Sequence, residues 1–369
     1  MRGETVCDLS LGEPDFVTPQ HICEAAIDAI KAGHTKYTVA SGIPELKKAV
    51  VGKYAADYGL QYVLAQVVVA NGAKHALHNA FFATLNPGDE VIIPAPYWVS
   101  YAELVKLSGA IPVIVPTEES QNFKMSAEQF ERAITPKTRM LLLCSPSNPT
   151  GAVYHRRELE TIADVVLKHH LLVVADEIYD KLIYSNNKFV SFPTLDPDLQ
   201  NRTIVVGGVS KTYAMTGWRI GWTLSPVTVA QKMGELQGQQ TSNPCSISQY
   251  AALAALTGSQ DCVVSMHSAF MERRDYVARR IAAIEGLSCP AMDGAFYAFF
   301  NVKKFLGRKL GGVQIDNSEQ FCMEILTQKR VAMVMGSAFG CEGYVRASFA
   351  TSLEVLKEAF DRIEEFVSE

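Results

Sequence analysis

Short apolar runs that end in polar residues recur along this chain, with helix-like segments between them. "RMLLLC" leads into "SPSNPTG", "HLLVVAD" into "EIYD", and "RTIVVGGV" into "SK". Unbroken Val/Leu/Ile runs of this length suit strands buried on both faces, and their alternation with helices makes the sheet largely parallel. "QVVVANGAKHALHNAFFATLNPGDEVIIPAPYW" likewise reads strand, Gly turn, helix, Pro-Gly turn, strand. The expected class is therefore α/β. In open sheets of this kind a ligand sits beyond the carboxyl ends of the strands. Asn148, Asp176 and Lys211 follow three such ends, so they are expected to converge despite their separation in sequence.

A chain of 369 residues exceeds one comfortable core, so two domains are expected. Residues 34–264 read as the larger one. From about 265 the pattern changes to a basic helix ("MERRDYVARRIAAI"), short strands ("GAFYAFFNV", "RVAMVMG", "YVRASFAT") and a last amphipathic helix. Residues 1–33 with 265–369 are expected to form a smaller α+β domain. The last helix is expected to start at Thr351 or Ser352, with Glu354 completing a capping box and Leu353, Leu356, Phe360, Ile363 and Phe366 as its buried stripe. Arg273, Arg274, Arg279 and Arg280 read as a solvated helix face, and Trp218 and Trp222 as core.

The formal net charge of −5 and the lack of a Lys/Arg-rich tract argue against a nucleic-acid partner. No apolar run approaches the ~18–20 residues of a membrane span. Eight scattered cysteines without CxxC pairs read as reduced thiols. His75 and His78 lie three apart on an expected helix but suggest no third ligand, so no metal is expected. The chain opens without a secretory signal and enters a strand-like run almost at once. The expected location is cytoplasmic, or a plastid if a leader preceding Met1 was removed.

"VVGGVSKTYAMTGWRIGW" places Lys211 at a strand's tip and Arg219 eight residues on, between apolar runs. Two cations in a partly buried place need an anion, or one must give up its charge. A nucleotide phosphate loop is excluded, since Val205 and Ser210 occupy both glycine positions of GxxxxGK[ST]. No GxGxxG follows the first strand either. A lysine that forms an imine fits better. Desolvation and a nearby cation lower its pKa, as attack on a carbonyl requires. Asp176 at a neighbouring strand end can keep a pyridine nitrogen protonated, and Trp98 offers a face to stack on. Arg219, Ser210 and the turn Asn71-Gly72-Ala73 offer what a phosphate needs.

These residues, with "LGEPDF", "KYTVASGIPELKKAV", "NGAKHAL", "PGDEVIIPAPYWVSY", "SPSNPTGAVY", "ADEIYD", "GAFYAF" and "YVRASFATS" in this order, resemble the class I, fold-type I pyridoxal-phosphate aminotransferases over nearly the whole chain. The resemblance implies a large domain with a mostly parallel seven-stranded sheet in an α/β/α sandwich, plus a smaller α+β domain. It implies pyridoxal 5'-phosphate as cofactor and Lys211 as both the imine-forming lysine and the proton shuttle. Asp176 is implied to pair with the ring nitrogen, Tyr179 and Asn148 with the ring oxygen, and Trp98 to stack on the ring. Ser210, Arg219 and the amides of Ala73 and Lys74 are implied to hold the phosphate. Tyr37 is similar to a tyrosine that reaches the other subunit's phosphate, which implies a homodimer with shared sites. Arg346 resembles the arginine that clamps the substrate α-carboxylate, assisted by Gly12, Asn148 and Trp98.

Within the family the chain is most similar to the aspartate/prephenate subgroup, through "IIPAPYWVSY", "NFKMSAEQFERAITPKTR" and "GQQTSNPCSISQ". Lys74 matches a lysine associated with the substrate's distal carboxylate. A second specificity position of the subgroup lies N-terminal to "LGEPDF", in a stretch this sequence lacks. The implied reaction moves an amino group between aspartate or glutamate and 2-oxo acids, with prephenate as a further acceptor, by ping-pong kinetics. Two other readings remain: a β-lyase on the same scaffold, which Lys211 and Asp176 alone do not separate, and a non-catalytic regulator, which would ordinarily carry a DNA-binding domain.

Overall fold

The computed structural model describes residues 5–184 and 187–368. After the short β1 (Cys7–Asp8) come the seven strands of the main sheet: β2 (Val67–Ala70), β3 (Glu90–Ala95), β4 (Ile111–Pro116), β5 (Thr138–Cys144), β6 (Leu172–Asp176), β7 (Thr203–Gly208) and β8 (Gly221–Leu224). Their order is β2-β8-β7-β6-β5-β3-β4. Only β8 runs against its neighbours; β3 to β7 pair in parallel.

The apolar runs form this sheet because alternate residues of each strand face opposite sides, and both sides are covered. Val68, Ile204 and Val206 pack under Ala76, Leu77, Ala80 and Met233 from helices Ala73–Thr84 and Val227–Gln240. On the other face, Val67, Val69 and Val205 meet Leu46, Val50 and Ala251, while Leu141 and Val173 meet Ile162 and Val166. The parallel register sets Cys144 opposite Asp176 and Asp176 opposite Val206. The loops after 144, 176 and 208 therefore leave one edge of the sheet together. The connection from β3 to β4 runs one way along the sheet and those from β5 to β7 the other. The edge beside this reversal is where an open α/β sheet leaves a crevice.

Beyond it, β9 (Tyr297–Asn301) pairs with β14 (Tyr344–Ser348), which also pairs with β13 (Val334–Met335). A hairpin, β10 (Arg308–Leu310) and β11 (Val313–Ile315), lies beside them, and β12 (Val331–Ala332) pairs in parallel with β1. Helices Asp261–Ala283, Ser318–Lys329 and Leu353–Ser368 close a core rich in phenylalanine, including Phe270, Phe296, Phe321 and Phe360.

Several local expectations need correction. The last helix is capped by Ser352, whose hydroxyl accepts from the Val355 amide at 3.2 Å. Its third helical residue is thus Val355, and the Thr351-to-Glu354 box does not form. The basic helix is not a solvated face: Arg273 grips Asp15 through both oxygens at 2.7 and 3.0 Å and lies over the Phe16 ring. Arg280 pairs with Asp361 and Glu364, and Arg274 lies over the Tyr184 ring; only Arg279 is exposed. Trp222 is buried as expected, whereas Trp218 is partly exposed and donates to Thr18 at 2.9 Å. Helix Gln20–Lys31, expected with the smaller domain, buries Ile22 and Ala26 against Ala251 and Ala252, in the larger unit's core. Helix Asp261–Ala283 runs through the expected boundary at 264.

Candidate active site

The crevice at the strand ends holds a cavity of about 290 Å³. Gly12, Ala73, Lys74, Trp98, Asn148, Asp176, Tyr179, Ser210, Lys211, Arg219 and Arg346 all line it. Among the site residues expected from sequence only Tyr37 lies elsewhere; it is 89% exposed. Four further residues line the cavity: Tyr101, Ile178, Thr216 and Tyr297. Ile178 lies inside "ADEIYD" and Thr216 inside "SKTYAMTGWRIGW". Tyr101 and Tyr297 sit inside "YWVSY" and "GAFYAF", where nothing in the local pattern separates them from core aromatics.

Lys211 follows β7 by three residues, on a turn. Its ammonium donates to the Gly12 carbonyl at 2.5 Å and lies 5.9 Å from the Phe296 ring. Burial lowers its pKa to about 8; Arg219 and Arg346 push the same way, and Glu13 and Asp176 oppose them. Asp176, at the tip of β6, is 3% exposed. Burial pushes its carboxyl up to about 6, against the Tyr101 hydroxyl, the Ile178 amide and Lys211, which favour the anion. Tyr101 donates to Oδ2 at 2.6 Å, and the Ile178 amide reaches Oδ1 at 3.3 Å. Glu177, next along, is tied away from the cavity by the Ser191 hydroxyl and the Phe192 amide.

A cradle for an anion lies at the start of helix Ala73–Thr84. Gly72 takes φ +84°, turning the chain into the helix so that its first amides open to the cavity. A Cβ on Gly72 would lie 2.2 Å from Arg219 Nη2, and one on Gly221 would lie 2.5 Å from the Ala73 nitrogen. Two glycines thus let the guanidinium and the helix N-terminus meet. Arg219 donates to the Thr216 carbonyl at 2.7 Å, with the Asn71 carbonyl at 3.5 Å. Among the described residues no carboxylate pairs with it.

Arg346 stands on β14 across the cavity and is 6% exposed. It donates to Asn148 Oδ1 at 3.0 Å and to the Ser10 carbonyl at 2.6 Å, while its buried Nε has no partner among the described residues. Its guanidinium lies 4.5 Å from the centre of the Tyr297 ring, whose hydroxyl is 2.9 Å from that of Tyr179. A buried guanidinium without a carboxylate is costly, and a bound anion would relieve that cost. Lys74 reaches over Trp98, 4.9 Å from a ring centre.

The residues present fit pyridoxal phosphate by their chemistry. The cavity offers an amine biased toward its neutral form, a carboxylate and an indole on its walls, and a cationic cradle narrowed by two glycines.

Comparison with known proteins agrees. Residues 4–363 match the family described as aminotransferase class I and II. The chain is 47% identical to an aspartate/prephenate aminotransferase of Cereibacter sphaeroides, covering 99% of this chain and 92% of that protein. It is 46% identical to an aspartate aminotransferase of Geobacillus stearothermophilus over the same shares. The crystal structure of the Rhizobium meliloti aspartate aminotransferase superposes with a TM-score of 0.96 at 45% identity, covering 99% of this chain and 92% of that one. The chain therefore belongs to the class I and II aminotransferases, of the pyridoxal-phosphate-dependent fold type I.

Proposed function

We propose that this aminotransferase moves the amino group between dicarboxylic partners: aspartate or glutamate as donor, and 2-oxoglutarate, oxaloacetate or prephenate as acceptor. The observation that carries this reading is the arrangement of cations around one cavity. Arg346 is buried with no carboxylate partner among the described residues, Arg219 sits at a helix N-terminus, and Lys74 stands exposed at the rim beside Trp98. Arg219 with Ser210 and the amides of Ala73 and Lys74 would hold a phosphate, Arg346 with Asn148 an α-carboxylate, and Lys74 a distal carboxylate. The relatives named for aspartate or aspartate and prephenate support this choice.

Bound pyridoxal phosphate supplies an electrophilic carbon and a ring that accepts the electron pair left when an α-proton departs. The chain's own residues do the rest. Trp98 would offer its indole face to the ring, and Asp176 would hold a proton on the ring nitrogen. Tyr179 and Asn148 would donate toward the ring oxygen, with Tyr297 fixing the Tyr179 hydroxyl. Lys211, whose amine is biased toward the neutral form, would take the α-proton of the substrate. The Gly12 carbonyl lies within reach of the same nitrogen and would hold it in place. Holding the reacting groups in register supplies much of the acceleration.

We also propose that the protein acts as a homodimer in which Tyr37, highly exposed in the single chain, reaches the partner's phosphate site; exposed Val39 beside it suits a covered surface. A division near 34–264 and 1–33 with 265–369 is proposed too, with helix Gln20–Lys31 docked on the larger unit and helix Asp261–Ala283 bridging the boundary at 264. Eight free cysteines suit a reducing cytoplasm. No helix among the described residues is long and apolar enough to cross a membrane.

The test is a panel of amino donors against the three acceptors, with Lys74→Ala alongside. Ping-pong turnover of aspartate with at least one dicarboxylic acceptor is expected. Lys74→Ala should raise KM about tenfold for dicarboxylic substrates and little for monocarboxylic ones. An equal effect on both classes removes Lys74 from the selectivity. Pyruvate and ammonia formed from a cysteine conjugate without any acceptor would replace the transaminase with a lyase.

A further inference from the structure

Asp176 has a partner that none of the recognised motifs assigns. Tyr101 lies on helix Ser100–Leu107, three residues after Trp98, and is 3% exposed. Its hydroxyl donates to Asp176 Oδ2 at 2.6 Å, and its ring packs edge-on against Trp98, with centres 5.4 Å apart at 88°. One short segment therefore contacts both the indole and the carboxylate that line the cavity.

We propose that Tyr101 is a positioning residue: its hydroxyl holds Oδ2 of Asp176, keeps that carboxylate ionised, and leaves Oδ1 for the cofactor's ring nitrogen. This rests on the reading of Asp176 given above. The two oxygens are treated unequally by the fold. Oδ2 has the short bond to a phenol, whereas among the described residues Oδ1 has only the Ile178 amide at 3.3 Å. The other ionisable groups facing Asp176 are Lys211, whose charge favours the anion, and Cys144 and Tyr179. Burial holds the Cys144 thiol up to about 12 and raises Tyr179 well above its usual value, so both stay neutral at physiological pH. The Tyr101 hydroxyl is likewise pushed well above its ordinary range, first by burial and then by Asp176, and remains a donor wherever the enzyme works. Burial alone drives Asp176 toward its neutral form, and a protonated acid cannot anchor a protonated ring nitrogen. A hydrogen bond to a charged group is among the stronger contacts available to offset this.

The variant is Tyr101→Phe, which keeps the ring against Trp98 and removes only the donor. The carboxyl resonance of Asp176 in the cofactor-free protein, labelled at aspartate and assigned with Asp176→Asn, is followed against pH by NMR. Loss of the donor should raise the Asp176 pKa by about one unit or more. Pyridoxal phosphate should bind about tenfold more weakly, and kcat should fall while KM for aspartate changes little. Tyr101→3-fluorotyrosine, a stronger donor of nearly the same shape, should move the pKa down, and covers the case in which the Phe variant folds poorly. An Asp176 titration unchanged in both variants overturns the inference. If Asp176→Asn weakens cofactor binding while Tyr101→Phe does not, Asp176 keeps its role and Tyr101 loses its own. If Asp176→Asn binds the cofactor as well as the parent, the underlying reading of Asp176 fails, and this inference fails with it.

Discussion

Lys211 is placed where its own charge is unwelcome, and the consequence is measurable without any substrate. Its folded pKa is about 8 against 10.5 for an ordinary lysine. Between these values the unfolded chain binds more protons than the folded one, so stability of the cofactor-free protein rises with pH across that window. Below about 8 the full cost of burying the ammonium is present; above about 10.5 it is gone. Lys211→Met keeps the length and removes the charge. It should stabilise the cofactor-free protein at pH 7 by on the order of 2 kcal/mol. That gain should shrink toward zero as pH climbs through 8 to 10.5, as read from urea unfolding at stepped pH. A gain that stays flat with pH would mean that Lys211 is not held against its charge.

At the scale of elements, the site depends on a strand-to-helix turn that only glycine can make. Gly72 has φ +84°, and a Cβ there would meet Arg219 at 2.2 Å. Gly72→Ala should therefore displace Arg219, strain the turn by roughly 1–2 kcal/mol and weaken pyridoxal-phosphate binding at least tenfold. A fluorescence titration of the cofactor-free variant checks this; parent-like affinity would show that the turn tolerates a side chain. Such turns could be read from sequence because "VVVANGAK" joins a β-branched run to a Gly turn and a helix former. The sheet was legible for the same reason: its strands are short apolar runs with polar ends. Asp176 and Lys211 were legible because each ends such a run. Partners set by tertiary packing were not. Arg273 finds Asp15 from 258 positions away, and no periodicity in "MERRDY" announces it. The Tyr101 contact to Asp176 spans 75 positions. The choice of Ser352 over Thr351 as cap depends on one residue's backbone direction, below what a pattern resolves.

Seen whole, the molecule is a large sheet and a smaller layered unit that share one cleft, and the cleft is tied at several points. Arg346 on β14 bonds to Asn148 after β5 and to Ser10 near β1. Farther out, Glu119 after β4 accepts from Ser288, Asn301 and Tyr344 at 2.8, 2.7 and 3.0 Å, and Phe123 packs on Phe299 and Tyr344. These ties bring groups from strands far apart in the chain to one cavity, with Lys211 on its wall. The most direct test of that arrangement is chemical. The cofactor-loaded protein is treated with borohydride, which fixes the bond between cofactor and lysine, then digested and read by mass spectrometry. The account predicts the added cofactor mass on the peptide carrying Lys211 and on no other. Label on a different lysine, or none on any, would contradict it.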